Sequence, residues 1–367
     1  MRSDMEADRT RLSDIEVQIL DLKRSISALR AEKEVVRERL NSYRYPVLTL
    51  PNEIVSEIFV HFLPNYPYCP PLVGALSPTT LTRICQKWRE VALATPMLWR
   101  AIELFRYSMS FQRLDQMFDL WTRRSFSSAL SIRVPNSDIS RALLPTLMSH
   151  RARWEYLEIY VGSDFVVHGP LPRLRHLDLI VRDEQVAFHD APLLRTVTIN
   201  IVQANYYIVL PWHQLTRLTL HVLVRPISNP VAILRHTPNL VHCDLLLSEG
   251  RVEPPGPWDK VTLRHLESFS IRQHCGKVMR YMELFHLPAL RILRVEERVL
   301  GHLPTLLLAS LLSKWGCDLQ ELRVTGERHT CDSVFLAAFP AVPKINFDSP
   351  YLEETTNEEE DEDNEGG

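Results

Sequence analysis

Glycine is scarce, with 11 residues in a chain of 367 that carries 25 prolines. Little backbone is free to approach a nucleotide closely, and stiff short connections are favoured over flexible linkers. No G-x-x-x-x-G-K-[ST] or G-x-G-x-x-G phosphate loop, G-x-S-x-G elbow or H-E-x-x-H helix occurs. The six cysteines (Cys69, Cys85, Cys243, Cys275, Cys317, Cys331) form no C-x-x-C pair. His274 and Cys275 are adjacent rather than spaced for a metal. Neither a metal nor another cofactor is expected, and no constellation suggests an enzyme. Scattered thiols in apolar contexts suit a reducing compartment, the cytosol or the nucleus.

Long hydrophobic runs are also missing. The most apolar stretch, Leu303–Leu312, is too short to span a bilayer and contains Pro304. The N-terminal residues up to Asp14 lack the apolar core of a signal peptide. Membrane insertion and secretion are therefore not expected. Basic excess is absent too: the formal net charge is −3, and without the nine acidic residues of Glu353–Gly367 it becomes +6. A body so mildly basic does not call for nucleic acid, and the acidic tail, 351–367, reads as disordered.

What is present begins with a heptad seam. Leu12, Ile15, Ile19, Leu22, Ile26, Leu29, Lys33, Val36 and Leu40 follow one another in steps of three and four. The flanking positions are largely charged. Such a stripe predicts a coiled-coil helix over 1–44 that needs a covering surface. The cover is either a second copy, giving a parallel homodimer, or another helix of this chain or of a different protein.

After Pro46 comes VLTLPNEIVSEIFVHFLP, whose apolar residues recur with helical spacing, and a proline-rich insert to Pro78. A second helical stretch, LTRICQKWREVALATP, and a short MLWRAI turn follow. Leu50, Pro51, Glu53, Ile54, then Cys85, Trp88, Val91, Ala92, Thr95, Pro96, Leu98 and Trp99 resemble the F-box in the form common in fungal, basidiomycete-like F-box proteins. The insert is longer than in the shortest F-boxes. The resemblance implies docking on a Skp-type adaptor and, through it, a cullin, by Leu50, Pro51, Ile54, Val55, Ile58, Phe59, Ile84, Trp88, Leu98 and Trp99. A three-helix unit of this size cannot bury all these apolar side chains alone, and a partner groove would cover the remainder. The plainer alternative is that they form the core of a helical subdomain.

From Ser127 one motif recurs: apolar-x-x-apolar-x-apolar. It appears as Trp154/Leu157/Ile159, Leu174/Leu177/Leu179, Leu194/Val197/Ile199, Leu215/Leu218/Leu220, Leu240/Cys243/Leu245, Leu266/Phe269/Ile271, Leu290/Leu293/Val295, Leu319/Leu322/Val324 and Val342/Ile345/Phe347, with a partial Leu130/Ile132 before them. Start points lie 20 to 29 residues apart, the period of leucine-rich repeats. Helical segments are expected at Pro230–His236, Lys277–His286, Thr305–Trp315 and Ser333–Phe339, whereas early repeats have only short connections such as Gln185–Ala191. The usual Asn or Cys past the last Leu is absent, so the array is irregular. A doubly wound sheet of βα units is the alternative.

The expected fold class is thus α/β: an N-terminal coiled-coil helix, a three-helix F-box (45–103), a helical connector (104–126), and an irregular leucine-rich-repeat solenoid (127–350). Parallel strands would line its concave face and helices its convex face. Residues between the apolar positions should face the concave surface; Tyr156, Tyr160, His176, Arg217, His221, Arg272, Arg294 and Arg323 are the candidate contacts for a protein substrate. The functional expectation is a substrate-recognition adaptor of a Skp-cullin-F-box ubiquitin ligase. A solenoid scaffold that delivers nothing for ubiquitination is the alternative.

Overall fold

A helix forms where no proline or glycine interrupts the heptads, and a strand wherever the apolar triplet recurs. The structure, a computed structural model, describes residues 2–42, 46–105, 109–161, 165–181, 184–201, 206–222, 230–247, 260–273 and 282–349. The acidic tail and His274-Cys275 lie outside the described residues.

Helix α1, Arg2–Ser42, is a single 41-residue helix. From Met5 to Leu40 every side chain is exposed, the heptad seam included. A 3-10 turn at Pro46–Thr49 leads into α2, Asn52–Phe62. The insert then runs to α3, Pro78–Leu81, and α4, Gln86–Ala94, follows, with a 3-10 turn at Pro96–Trp99. Cys85 caps α4: its Sγ accepts the Trp88 backbone N–H at 3.4 Å. The Lys87 ammonium donates to the Leu48 and Leu50 carbonyls at 2.8 and 2.6 Å, tying the first turn to α4. Helix α5, Phe111–Arg124, lies in the expected connector, with Leu114, Phe118 and Trp121 buried.

Among the described residues there are sixteen strands, numbered in chain order. They are β1 Ala101–Glu103, β2 Leu130–Val134, β3 Trp154–Val161, β4 Phe165–Val167, β5 His176–Val181, β6 Glu184–Phe188, β7 Thr196–Ile201, β8 Tyr206–Val209, β9 Arg217–Val222, β10 His242–Leu247, β11 Val261–Thr262, β12 Ser268–Gln273, β13 Phe285–His286, β14 Ile292–Glu296, β15 Glu321–Thr325 and β16 Lys344–Phe347. Eleven of them form one sheet in the order β1-β2-β3-β5-β7-β9-β10-β12-β14-β15-β16. Every pairing in it is parallel. The protein is α/β, with a long N-terminal helix and a large parallel sheet, an arrangement compatible with a solenoid-like fold.

The triplet explains the core. Its second and third positions alternate with polar residues along each strand, so both point to one side. Leu157, Leu177, Val197, Leu218, Cys243, Phe269, Leu293 and Leu322 form one buried ladder in register across the strands. The first position, as in Leu174, Leu194, Leu215, Leu240 and Leu290, is buried in the turn before each strand.

Three features differ from the expectation. The early connections are not plain loops: β4, β6 and β8 make a separate three-stranded parallel sheet. Repeats of 20 or 21 residues are too short to house a helix, and β-branched and aromatic residues there favour strand. Longer repeats do house helices: α7 Pro230–Leu234, α8 Pro304–Trp315 and α9 Asp332–Ala338. Of the helix expected at Lys277–His286, residues up to 281 lie outside the described residues, and Phe285–His286 is strand β13. Finally, α6, Ser137–Ser149, stands between β2 and β3. Its signals were in the sequence: Asn136 Oδ1 accepts from Asp138 and Ile139 N–H, and Ile139, Leu143 and Leu147 recur at helical spacing and are buried.

Candidate protein-interaction surfaces

Helix α2 is apolar on two sides. Val55 and Phe59 point inward and are buried, with Phe59 edge-on to Trp88 at 5.0 Å. Ile54, Ile58 and Phe62, four residues apart, make a second stripe that is 49%, 48% and 39% exposed. Ile84, just before α4, is 55% exposed. Trp88 is half-buried, and its indole N–H is buried without an acceptor among the described residues.

The ten residues that the F-box resemblance assigns to the adaptor therefore divide. Val55, Phe59, Leu98 and Trp99 are buried inside the chain itself. The Trp99 indole N–H donates to the Ala92 carbonyl at 2.9 Å, and its ring meets Trp121 edge-on at 5.3 Å. These four shape the surface from below and cannot touch a partner. Pro51, Ile54, Ile58 and Ile84 are exposed, and Leu50 and Trp88 are half-buried.

The second surface is the polar side of the sheet. One register row across all eleven strands reads Glu103, Arg133, Glu158, Asp178, Thr198, Thr219, Asp244, Ser270, Arg294, Arg323, Asn346. Carboxylates gather toward β3 and β5, and guanidinium groups toward β14 and β15. All eight candidate substrate residues, Tyr156, Tyr160, His176, Arg217, His221, Arg272, Arg294 and Arg323, lie on this side, partly or fully exposed.

The insert between α2 and α3 reaches this face. Tyr66 donates its hydroxyl hydrogen to Glu155 at 2.9 Å, and the Arg100 guanidinium lies over its ring at 3.8 Å. Burial and the neighbouring carboxylate push its phenol well up, so it stays a donor. Ser131 Oγ donates to the Pro67 carbonyl at 2.7 Å. Pro67, Tyr68 and Cys69 thereby wall a pocket of about 430 Å³ over β2, β3, β5 and β7. Tyr156 and His176, stacked at 4.3 Å, line it together with Arg133, Glu158 and Asp178. Burial pushes the Cys69 thiol up to about 12, so it is an inert wall rather than a nucleophile. Burial, and then the Glu158 charge, lift the Asp178 carboxyl to about 6. Tyr156 and His176 were legible as face residues. The insert's part was not, since nothing in its sequence names the strands it meets.

A second pocket, about 320 Å³, lies over β9, β10, β12, β14 and β15 and is lined by Arg217, His242, Ser270, Arg294 and Arg323 among others. Arg272 pairs with Asp244 at 3.1 Å, and Arg323 pairs with Glu321. Ser270 Oγ and Arg272 Nε are buried without a hydrogen-bond partner among the described residues. Desolvation, and then Arg217, lower the His242 pKa, which keeps that ring neutral. This half of the face is lined by the guanidinium groups of Arg217, Arg294 and Arg323, with Asp244 as the carboxylate among them.

Among the described residues no group of three or more His, Cys, Asp or Glu is placed to hold a metal, and no helix is long and apolar enough to cross a membrane. No model of a known protein family matches the chain, and no curated protein matches it.

Proposed function

We propose that this chain is the substrate-recognition adaptor of a Skp-cullin-F-box type ubiquitin ligase. In this reading residues 45–103 are the F-box, and the parallel array is an irregular leucine-rich-repeat solenoid. The carrying observation is the outer stripe of α2. A helix apolar on both sides needs cover on both, and the chain covers only Val55 and Phe59. Ile54, Ile58, Phe62 and Ile84 then enter an adaptor groove, in the manner of helix-in-groove recognition.

The polar strand face receives the protein to be modified, its acidic and basic halves setting the charge pattern of the partner. The chain performs no chemistry of its own. It holds a substrate near the ligase at high effective concentration. The exposed heptad seam of α1 joins two such adaptors in parallel. The five cysteines among the described residues are free thiols, which suits work in the cytosol or nucleus.

The test is capture of purified Skp-type adaptor by the full chain, beside Ile54→Asp and Ile84→Asp variants with unchanged circular dichroism. Binding by wild type and its loss in both variants supports the reading. No binding by wild type removes it and leaves a scaffold of unknown partner.

A further inference from the structure

The pocket walled by the insert carries a charge imbalance. Arg133 is shared between Glu103 at 3.0 Å and Glu158 at 2.8 Å, so one guanidinium already serves two carboxylates. Asp178, next to Glu158 in the register row, is the third carboxylate. Its hydrogen-bond donor is the Asn200 amide at 3.3 Å, and the Asn200 carbonyl is taken by His221 Nδ1 at 2.6 Å. On its own strand His176 is turned into the stack with Tyr156. From β7, Thr198 adds no charge. Among the described residues no cation is in ion-pair contact with Asp178, and the Arg133 charge, already held by two carboxylates, offsets only part of what burial and Glu158 impose on it. A desolvated carboxylate without a cation is costly, and the cost disappears when a cation is supplied from outside.

We propose that this pocket takes a basic side chain, lysine or arginine, of the bound protein, its charge against Asp178 and an adjacent apolar residue against Tyr156 and the Pro67–Cys69 wall. The polarity excludes an anion here, in contrast to the arginine-rich pocket further along the same face. The insert, which lengthens the segment between the two helices, thus completes a substrate pocket. The ligand class rests on the strand face being the substrate face, but not on adaptor docking, which uses the outer stripe of α2.

The experiment measures fluorescence anisotropy of labelled Gly/Ser nonapeptides with Leu-Lys, Leu-Arg, Leu-norleucine or Leu-Glu at the centre, titrated with the full chain. The expected result is binding of the Lys or Arg peptide about tenfold tighter than norleucine, as for a charge-assisted hydrogen bond. Asp178→Asn keeps the acceptor for Asn200 and abolishes the preference. Because the Asp178 carboxyl stands at about 6, wild-type affinity for the basic peptide rises between pH 5 and pH 7.

Equal binding of norleucine and lysine peptides overturns the proposal, as does a basic preference that survives Asp178→Asn. A preference for the Glu peptide that Arg294→Ala removes places recognition in the other pocket and also overturns it. Adaptor capture by Asp178→Asn reports separately on the ligase reading.

Discussion

Tyr66 and Tyr156 meet edge to face, ring centroids 5.3 Å apart and planes at 88°, joining the loop after α2 to the third strand of the sheet. Through this contact the helical unit and the strand face share one wall. Tyr66→Ala removes the ring pair, the bond to Glu155 and the platform under Arg100. The expected outcome is faster amide exchange at Tyr68, Cys69 and Leu72 and loss of the basic-peptide preference, with adaptor capture retained. Tyr66→Phe keeps the ring and loses about 1 kcal/mol for one hydrogen bond. Unchanged exchange in Tyr66→Ala would show that the insert is held elsewhere.

The two sides of α2 make opposite predictions. Phe59→Ala opens a cavity beside Trp88 and lowers unfolding free energy by about 3–5 kcal/mol, read from denaturant melts. Ile54→Asp changes an exposed position, leaves stability within about 0.5 kcal/mol, and weakens adaptor binding by at least about tenfold. If Ile54→Asp unfolds the chain, the outer stripe is core rather than contact.

Asp178 links stability to pH. Its carboxyl stands near 6 in the folded chain and near 3.9 when unfolded. The folded state therefore holds its proton longer, and stability falls as pH rises from about 4 to about 6. Asp178→Asn should raise the melting temperature at pH 7 by roughly 2 °C and leave it unchanged at pH 4. A wild-type advantage at pH 7 contradicts the assignment. A residue whose removal stabilises the fold is what a binding site retains at a cost in stability.

The α1 seam is testable by mass. Ile19→Asp with Ile26→Asp puts two charges in the stripe, and light scattering after gel filtration should then halve the molar mass. A monomeric wild-type chain would show that the seam does not pair copies.

Near the last strands, Glu297 is buried and its Oε1 accepts the backbone N–H groups of His329 and Thr330 at 3.0 and 2.9 Å. Glu297→Ala removes the acceptor from both backbone donors, one on an exposed and one on a half-buried residue, a loss of about 1–2 kcal/mol. Glu297→Gln retains an acceptor and should lose less. Equal losses would show that packing rather than hydrogen bonding matters there.

Local patterns were enough to determine much of this molecule. The heptads of Leu12–Leu40 dictate a helix, and the apolar triplets dictate the main-sheet strands from β2 onward, their inner face and their outer residues, because periodicity is a property of neighbours along the chain. The Cys-x-x-Trp spacing likewise carries its own reason, since Cys85 caps the helix that presents Trp88. Tertiary structure decided the rest. Which apolar residues of α2 are core and which are free depended on what packs against each side, so Val55 and Phe59 parted from Ile54 and Ile58. The pocket depended on a loop meeting strands far along the chain, as Tyr66 meets Glu155 and Pro67 meets Ser131. Contacts between distant segments leave no periodic trace, because each partner alone satisfies only the rules of its own neighbourhood.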